Sequence, residues 1–396
     1  MVRRPQAADA DYADPAEPVV NLLTVEGSGP TSGAAVLLPI ITAKVGLTRR
    51  QIRELRAAEL RWRPGAQDLR EKLVHRVSIC IPTYNSARFL PAAVESVLAQ
   101  TYHNFELVVC DNASTDATPE ICGRYQDPRL RTVRFEELVG QAANWNRCVE
   151  LARGELVILL HADDMLRPEY LERAVSLLDA EPEAGWLFCG AEHVDADGRP
   201  LRFQRAYPES RSVPGRELAR RLLLEGCLIN PAGVLVRRGL YETVGRFTEA
   251  IVWGVDWHMW ARLALEADAV YLGEPQALYR IHGQSGTSGV MATARNGKDE
   301  VWMMNDLFSL LPPDAADLRA LRPQAFRGIA HRTWCFAEEM CQTGFPQAAR
   351  AQLRRAASIR PPLLLDPKFW ALWAATFVGY ERFARLHQWK ALSVKR

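Results

Sequence analysis

The stretch VSICIP, beginning at Val77, is a continuous apolar run that ends in proline and a polar turn. Two runs of the same kind follow, LVVC ending at Cys110 and ELVILL ending at Leu160, with LRTVRF between them. Each is too short for a helix of ordinary length and lacks polar alternation, so each reads as a strand covered on both faces. The intervening segments carry apolar residues at helical spacing: Ala87 to Ala99, a stretch from Pro119, and Gln141 to Ala152. Strand and helix in alternation predict βαβ units on a mostly parallel central sheet flanked by helices.

Beyond Asp164 the regularity fades. A helix is expected over 168–180, a strand at GWLFCGA, another at AGVLVRR, and a helix from Asp256 to Glu266. A short strand pair is expected around VYLG and ALYRI, then a helical region from about residue 296. Residues 1–32, rich in Ala, Asp, Pro and Gly, read as disordered, and 48–73 as a helix that Pro64-Gly65 breaks. The expected organisation is an N-terminal extension over 1–75, a catalytic domain over 76–290 and a helical region over 291–396.

Charge balances at +2, which gives no field for nucleic acid. The 8 cysteines form neither a C-x-x-C pair nor a zinc-finger cluster, and several lie in apolar runs, as reduced buried thiols of a cytoplasmic protein would. No apolar leader segment is visible at the start of the chain, and the apolar stretch 33–47 is short and interrupted by Pro39 and Lys44. The stretch LLLDPKFWALWAATFVGY over 363–380 is broken by Asp366, Pro367 and Lys368. It reads either as a helix packed on the catalytic domain or, with the basic tail that ends SVKR, as an interfacial helix on the inner face of an anionic membrane.

Open α/β sheets bind ligands at the carboxyl ends of their strands, so the residues that follow each strand are the candidates. After the first come Pro82, Thr83, Tyr84 and Asn85, which are either a plain turn or a base and ribose contact. After the second comes DNASTD. Asp111 and Ser114 there can meet a base or ribose, while Asp116 suits a helix cap. After the fourth comes His161-Ala162-Asp163-Asp164. Adjacent carboxylates at the end of a buried strand repel, and a divalent cation such as Mn²⁺ or Mg²⁺ with diphosphate oxygens would neutralise them. The alternative there is helix capping before Pro168. Asp256 is either a cap or a general base in a dry pocket. His282, in a glycine-containing loop after a strand, is either structural or faces a metal or phosphate.

These segments, in this order, resemble family 2 glycosyltransferases, inverting enzymes of the GT-A fold. The resemblance covers about residues 76 to 288. It rests on VSICIPTYNSARFLPAAVESVLAQTYHNFELVVCDNASTDAT, on ARGELVILLHADDML, and on VDWHMWARL followed by YRIHGQSGTS. It implies a nucleotide-diphosphate sugar donor, UDP being the common base, and a hydroxyl acceptor on a glycan or lipid-linked glycan of the bacterial cell surface. Thr83, Tyr84 and Asp111 would hold the base, Asp163 the metal with Asp164 beside it near the ribose and sugar, His282 the metal or diphosphate, and Asp256 would be the base. Two positions depart from the family: His161 stands where an aspartate is common, and Val255 where a glutamate is common. The absence of a Q-x-x-R-W motif implies single additions rather than polymer synthesis. A nucleotidyltransferase is the competing enzyme, disfavoured because PTYNSARF holds no glycine. A catalytically degenerate sugar-nucleotide-binding protein is the competing non-enzyme. A nicotinamide dehydrogenase is excluded by the lack of G-x-G-x-x-G after a strand.

Overall fold

The structure, a computed structural model, describes residues 75–283 and 295–387. The N-terminal extension expected over 1–75 (all but His75), the residues Gln284 and Ser285, and the SVKR tail lie outside the described residues.

Strand β1 (Val77–Thr83) sits between β2 (Phe105–Asn112) and β4 (Leu156–Leu159), with β3 (Leu130–Phe135) beyond β2. All three pairings are parallel. The apolar runs alternate between two cores. Val77, Ile79 and Ile81 of β1 join Leu107 and Val109 of β2 on one face, under helix α1 (Leu90–Leu98). Cys80, Val108 and Cys110 point the other way, toward Trp145 and Cys148 of α3 (Gln141–Leu151). A strand buried on both faces needs apolar residues at every position, which is what the uninterrupted runs encode. Helix α2 (Thr118–Cys122) is one short turn after β2.

The second half of the sheet is mixed rather than parallel. Strand β9 (Val234–Arg237) lies antiparallel between β4 and β6 (Trp186–Val194). Strand β10 (Ala269–Arg280) runs parallel to β6. It replaces the expected pair at VYLG and ALYRI with one strand whose register shifts between Leu272 and Ala277, where the sequence reads GEPQ. Proline and glycine there mimic a hairpin turn, yet β6 holds both halves in line. The short β5 (Met165–Leu166) pairs antiparallel with the end of β10, and β7 (Pro200–Gln204) and β8 (Arg211–Val213) edge β6 and β10. Helices α4 (Tyr170–Ala180), α5 (Gly215–Glu225), α6 (Arg238–Val244) and α7 (Val255–Glu266) cover the sheet.

From Asn296 the described chain is helical: α8 (Asn296–Ser309), α9 (Ala316–Arg319), α10 (Arg322–Gln342), α11 (Pro346–Ile359), α12 (Pro367–Val378) and α13 (Tyr380–His387). Met303, Met304 and Leu307 of α8 and Ala325 and Ile329 of α10 belong to the same core as Trp186 and Trp260. The helices therefore complete one wall of the sheet domain. Helix α12 buries Phe369, Leu372 and Ala375 against Trp334 and Leu353 and leaves Leu365, Trp370 and Phe377 exposed around it. No described helix is long and apolar enough to cross a membrane. All eight cysteines are free, and six of them are buried.

Candidate active site

The parallel pairing of β1 with β4 brings the turns that follow them side by side, and a cavity of about 840 Å³ opens there. Pro82, Thr83, Tyr84, Asn85, Asp163, Asp256 and His282 all line it. Seven residues spread over two hundred positions thus share one crevice. Thr83 is buried with its Oγ1 unpartnered, and Tyr84 stands 44 % exposed as a flat wall. Asn85 takes a left-handed backbone (φ 49°) and ties the first turn to the second. Its Oδ1 accepts from the Thr115 amide at 2.8 Å, and its own amide donates to Ser114 Oγ at 2.9 Å. Asp116 accepts from the amides of Thr118 and Ala87, the capping role expected of it.

Asp111 and Ser114 do not line the cavity. The Asp111 carboxylate is buried; Arg134 Nη1 donates to it at 2.7 Å and the Ser114 amide at 3.0 Å. Arg134 enters from β3, a partner the DNASTD motif does not announce.

The pairing of β5 with β10 folds the end of β10 over the acidic motif. His282 Nε2 lies 2.9 Å from Asp163 Oδ2 across 119 residues, and its ring packs on Phe89 at 4.4 Å. Asp164 turns the other way. Its Oδ1 accepts from the Arg280 amide at 2.9 Å, and Oδ2 has no hydrogen-bond partner. Burial, then the Asp163 charge, holds the Asp164 carboxyl well above the usual carboxylate range. His161 stacks on Trp145 at 5.0 Å, and its Nδ1 is 3.8 Å from Asp164 Oδ2. The donor set of the motif suits a hard divalent cation: Asp163 faces the cavity, an imidazole stands beside it, and a second carboxylate oxygen is unsatisfied within the His161, Asp163 and Asp164 group.

Asp256 opens α7. Gly254 before it has φ 73°, a conformation that costs a side chain strain and turns the loop into the helix. Asp256 Oδ1 accepts from the Trp257 amide at 2.8 Å. Burial raises its carboxyl above the ordinary value, and the Trp257 amide and then the nearby His161 partly offset that rise. A carboxylate with a raised pKa and few partners is equipped to take a proton.

Sequence reasoning missed the far wall. Glu300 of α8 and Arg332 and Phe336 of α10 line the same cavity as Asp256. Asp299 Oδ2 accepts from the amides of Val252 (2.9 Å) and Trp253 (3.0 Å), so α8 also clamps the loop that leads into Asp256. Nothing local marks these residues, since they sit inside ordinary amphipathic helices. Of the two tryptophans flanking Asp256, Trp257 is core and donates to the Leu222 carbonyl, while Trp253 is only partly buried.

Comparison with known proteins identifies the family. The "Glycosyl transferase family 2" profile matches residues 78–245. The succinoglycan biosynthesis protein ExoO of Rhizobium meliloti is 30% identical over 264 residues, covering 65% of this chain and 71% of that one. The uncharacterized glycosyltransferase alr2836 of Nostoc is 30% identical over 220 residues, 52% of this chain and 65% of its own. A solved structure of S. aureus TarS with UDP-GlcNAc aligns at 19% identity and a TM-score of 0.49, covering 73% of this chain and 92% of that one. With the family profile over residues 78–245 and a relative of this identity covered over 71% of its length, the chain belongs to glycosyltransferase family 2.

Proposed function

We propose that this enzyme transfers a sugar from a nucleotide-diphosphate donor, UDP being the first expectation, to a hydroxyl of a glycan or lipid-linked glycan with inversion at the anomeric carbon. One observation carries the reading: Asp256 and the Asp163–His282 pair open onto the same cavity as the Pro82–Asn85 turn. The turn offers Tyr84 to stack on the base and the unpartnered Thr83 hydroxyl to bond it. Asp111 and Ser114 act behind it, holding the second turn in register through Arg134 and Asn85. Asp163, with His282, would hold a divalent cation, Mn²⁺ or Mg²⁺, which when bound neutralises charge on the leaving diphosphate. Asp164 holds the motif to β10. Asp256 takes the proton from the acceptor hydroxyl as that oxygen attacks the anomeric carbon and the diphosphate leaves on the opposite face.

The exposed apolar ridge on and before α12 supports peripheral contact with the inner face of a membrane: Leu365 is 86 % and Phe377 66 % exposed, with Arg360 and Lys368 alongside. A catalytic domain with an appended helical membrane-facing region is the organisation we favour.

Nucleotide diphosphate release from UDP-, dTDP- and GDP-sugars, with Mn²⁺ or EDTA, tests the reaction. Metal-dependent release from one donor that is lost in Asp163→Ala supports it. Tight donor binding with no release across a broad acceptor panel would instead favour the degenerate binding protein.

A further inference from the structure

Resting on that transferase reading, we infer that the end of the cavity beyond Asp256 is an acceptor subsite built by α8 and α10 for a neutral sugar ring. Glu300 is almost fully buried yet lines the cavity. It accepts from Trp253 Nε1 at 3.3 Å and from Arg332 Nε at 3.0 Å. Arg332 lies over the Trp257 ring at 5.0 Å. One turn along α10, Phe336 meets Trp253 edge-on at 5.6 Å. Partly exposed aromatic faces beside a fixed carboxylate–guanidinium pair match a sugar, which presents C–H faces to rings and hydroxyls to planar polar groups.

The order of groups along the cavity places this cluster on the acceptor side. Trp253 and Trp257 flank Asp256 and contact the Glu300–Arg332 pair, whereas the Asp163–His282 pair packs on Phe89 beside the Pro82–Asn85 turn. The general base therefore adjoins the Glu300–Arg332 pair, where an attacking hydroxyl must approach. Charge selects the acceptor. Glu300 already holds the Arg332 guanidinium, and Asp256 lines the same cavity, so a phosphate or a uronate here would compete with one carboxylate for that guanidinium beside a second. The family motifs end before α8, so this wall sets specificity through residues the donor motifs do not govern.

Saturation-transfer NMR on the full chain tests this, with diamagnetic Mg²⁺ and whichever of UDP, dTDP or GDP it binds by calorimetry. The probes are the methyl glycosides of glucose, galactose, mannose and N-acetylglucosamine, set against the methyl glycoside of glucuronic acid. At least one neutral glycoside should show transfer and the glucuronide none. Phe336→Ala and the isosteric Glu300→Gln should each weaken the neutral glycoside about ten-fold, with nucleotide affinity within about two-fold of wild type, which shows the fold intact. Nucleotide binding with no neutral glycoside bound, preference for the glucuronide, or glycoside affinity unchanged in both variants would overturn the inference. Failure to bind any of the three nucleotides would overturn the donor reading beneath it.

Discussion

Asp256→Asn replaces a carboxylate with an amide of the same shape. The side-chain oxygen of asparagine can still accept from the Trp257 amide at 2.8 Å, so the start of α7 keeps its local bond. What is lost is the capacity to take a proton. General-base catalysis contributes about 10²–10⁴-fold, so turnover should fall by that factor, a barrier increase of about 3–5 kcal/mol. Stability should move the other way. Burial raises the Asp256 carboxyl in the folded chain, so the folded state binds more protons than the unfolded one between the free carboxylate value and the raised one. The stability linked to this group is full below the free value of about 4 and is lost as pH rises through the folded value. At neutral pH each unit of the rise withholds about 1.4 kcal/mol, which asparagine restores. The expected result is a variant that releases almost no product, binds nucleotide like wild type, and melts at or above the wild-type Tm at pH 7. In the wild type, kcat/KM should rise with pH through a limb above the free aspartate value. Turnover within about three-fold of wild type, or a Tm that falls together with nucleotide affinity, would refute the assignment.

Asp299→Ala removes the acceptor for two partly buried amides and should lower unfolding free energy by about 1–3 kcal/mol in urea, with transfer reduced although Asp299 does not line the cavity. A loss under about 0.5 kcal/mol would remove the clamp from the account. Gly154→Ala puts a Cβ about 2.7 Å from the Ser78 amide nitrogen, backbone that cannot yield, and should cost about 1–3 kcal/mol by chemical denaturation. Leu365→Ser with Phe377→Ser should abolish co-flotation with anionic liposomes and leave the melting curve in place; co-flotation undiminished would exclude this ridge as the contact.

The sequence by itself determined the strands that carry the site. Uninterrupted apolar runs such as VSICIP force burial on both faces, and the polar residues that end them can only emerge at the strand termini. Pro82–Asn85 and Asp163 were legible for that reason. Tertiary structure alone decided which of these meet. The β5–β10 pairing seats His282 on Asp163, and it also separates two neighbouring carboxylates, turning Asp163 to the cavity and Asp164 to the Arg280 amide. The Arg134–Asp111 pair likewise comes only from the fold, which sets β3 beside β2. Glu300, Arg332 and Phe336 were invisible because a helix repeats its apolar spacing whether its polar face meets solvent or a cavity. Which of the two it meets is fixed by the packing of α8 and α10 against the sheet, through contacts between residues far apart in the chain.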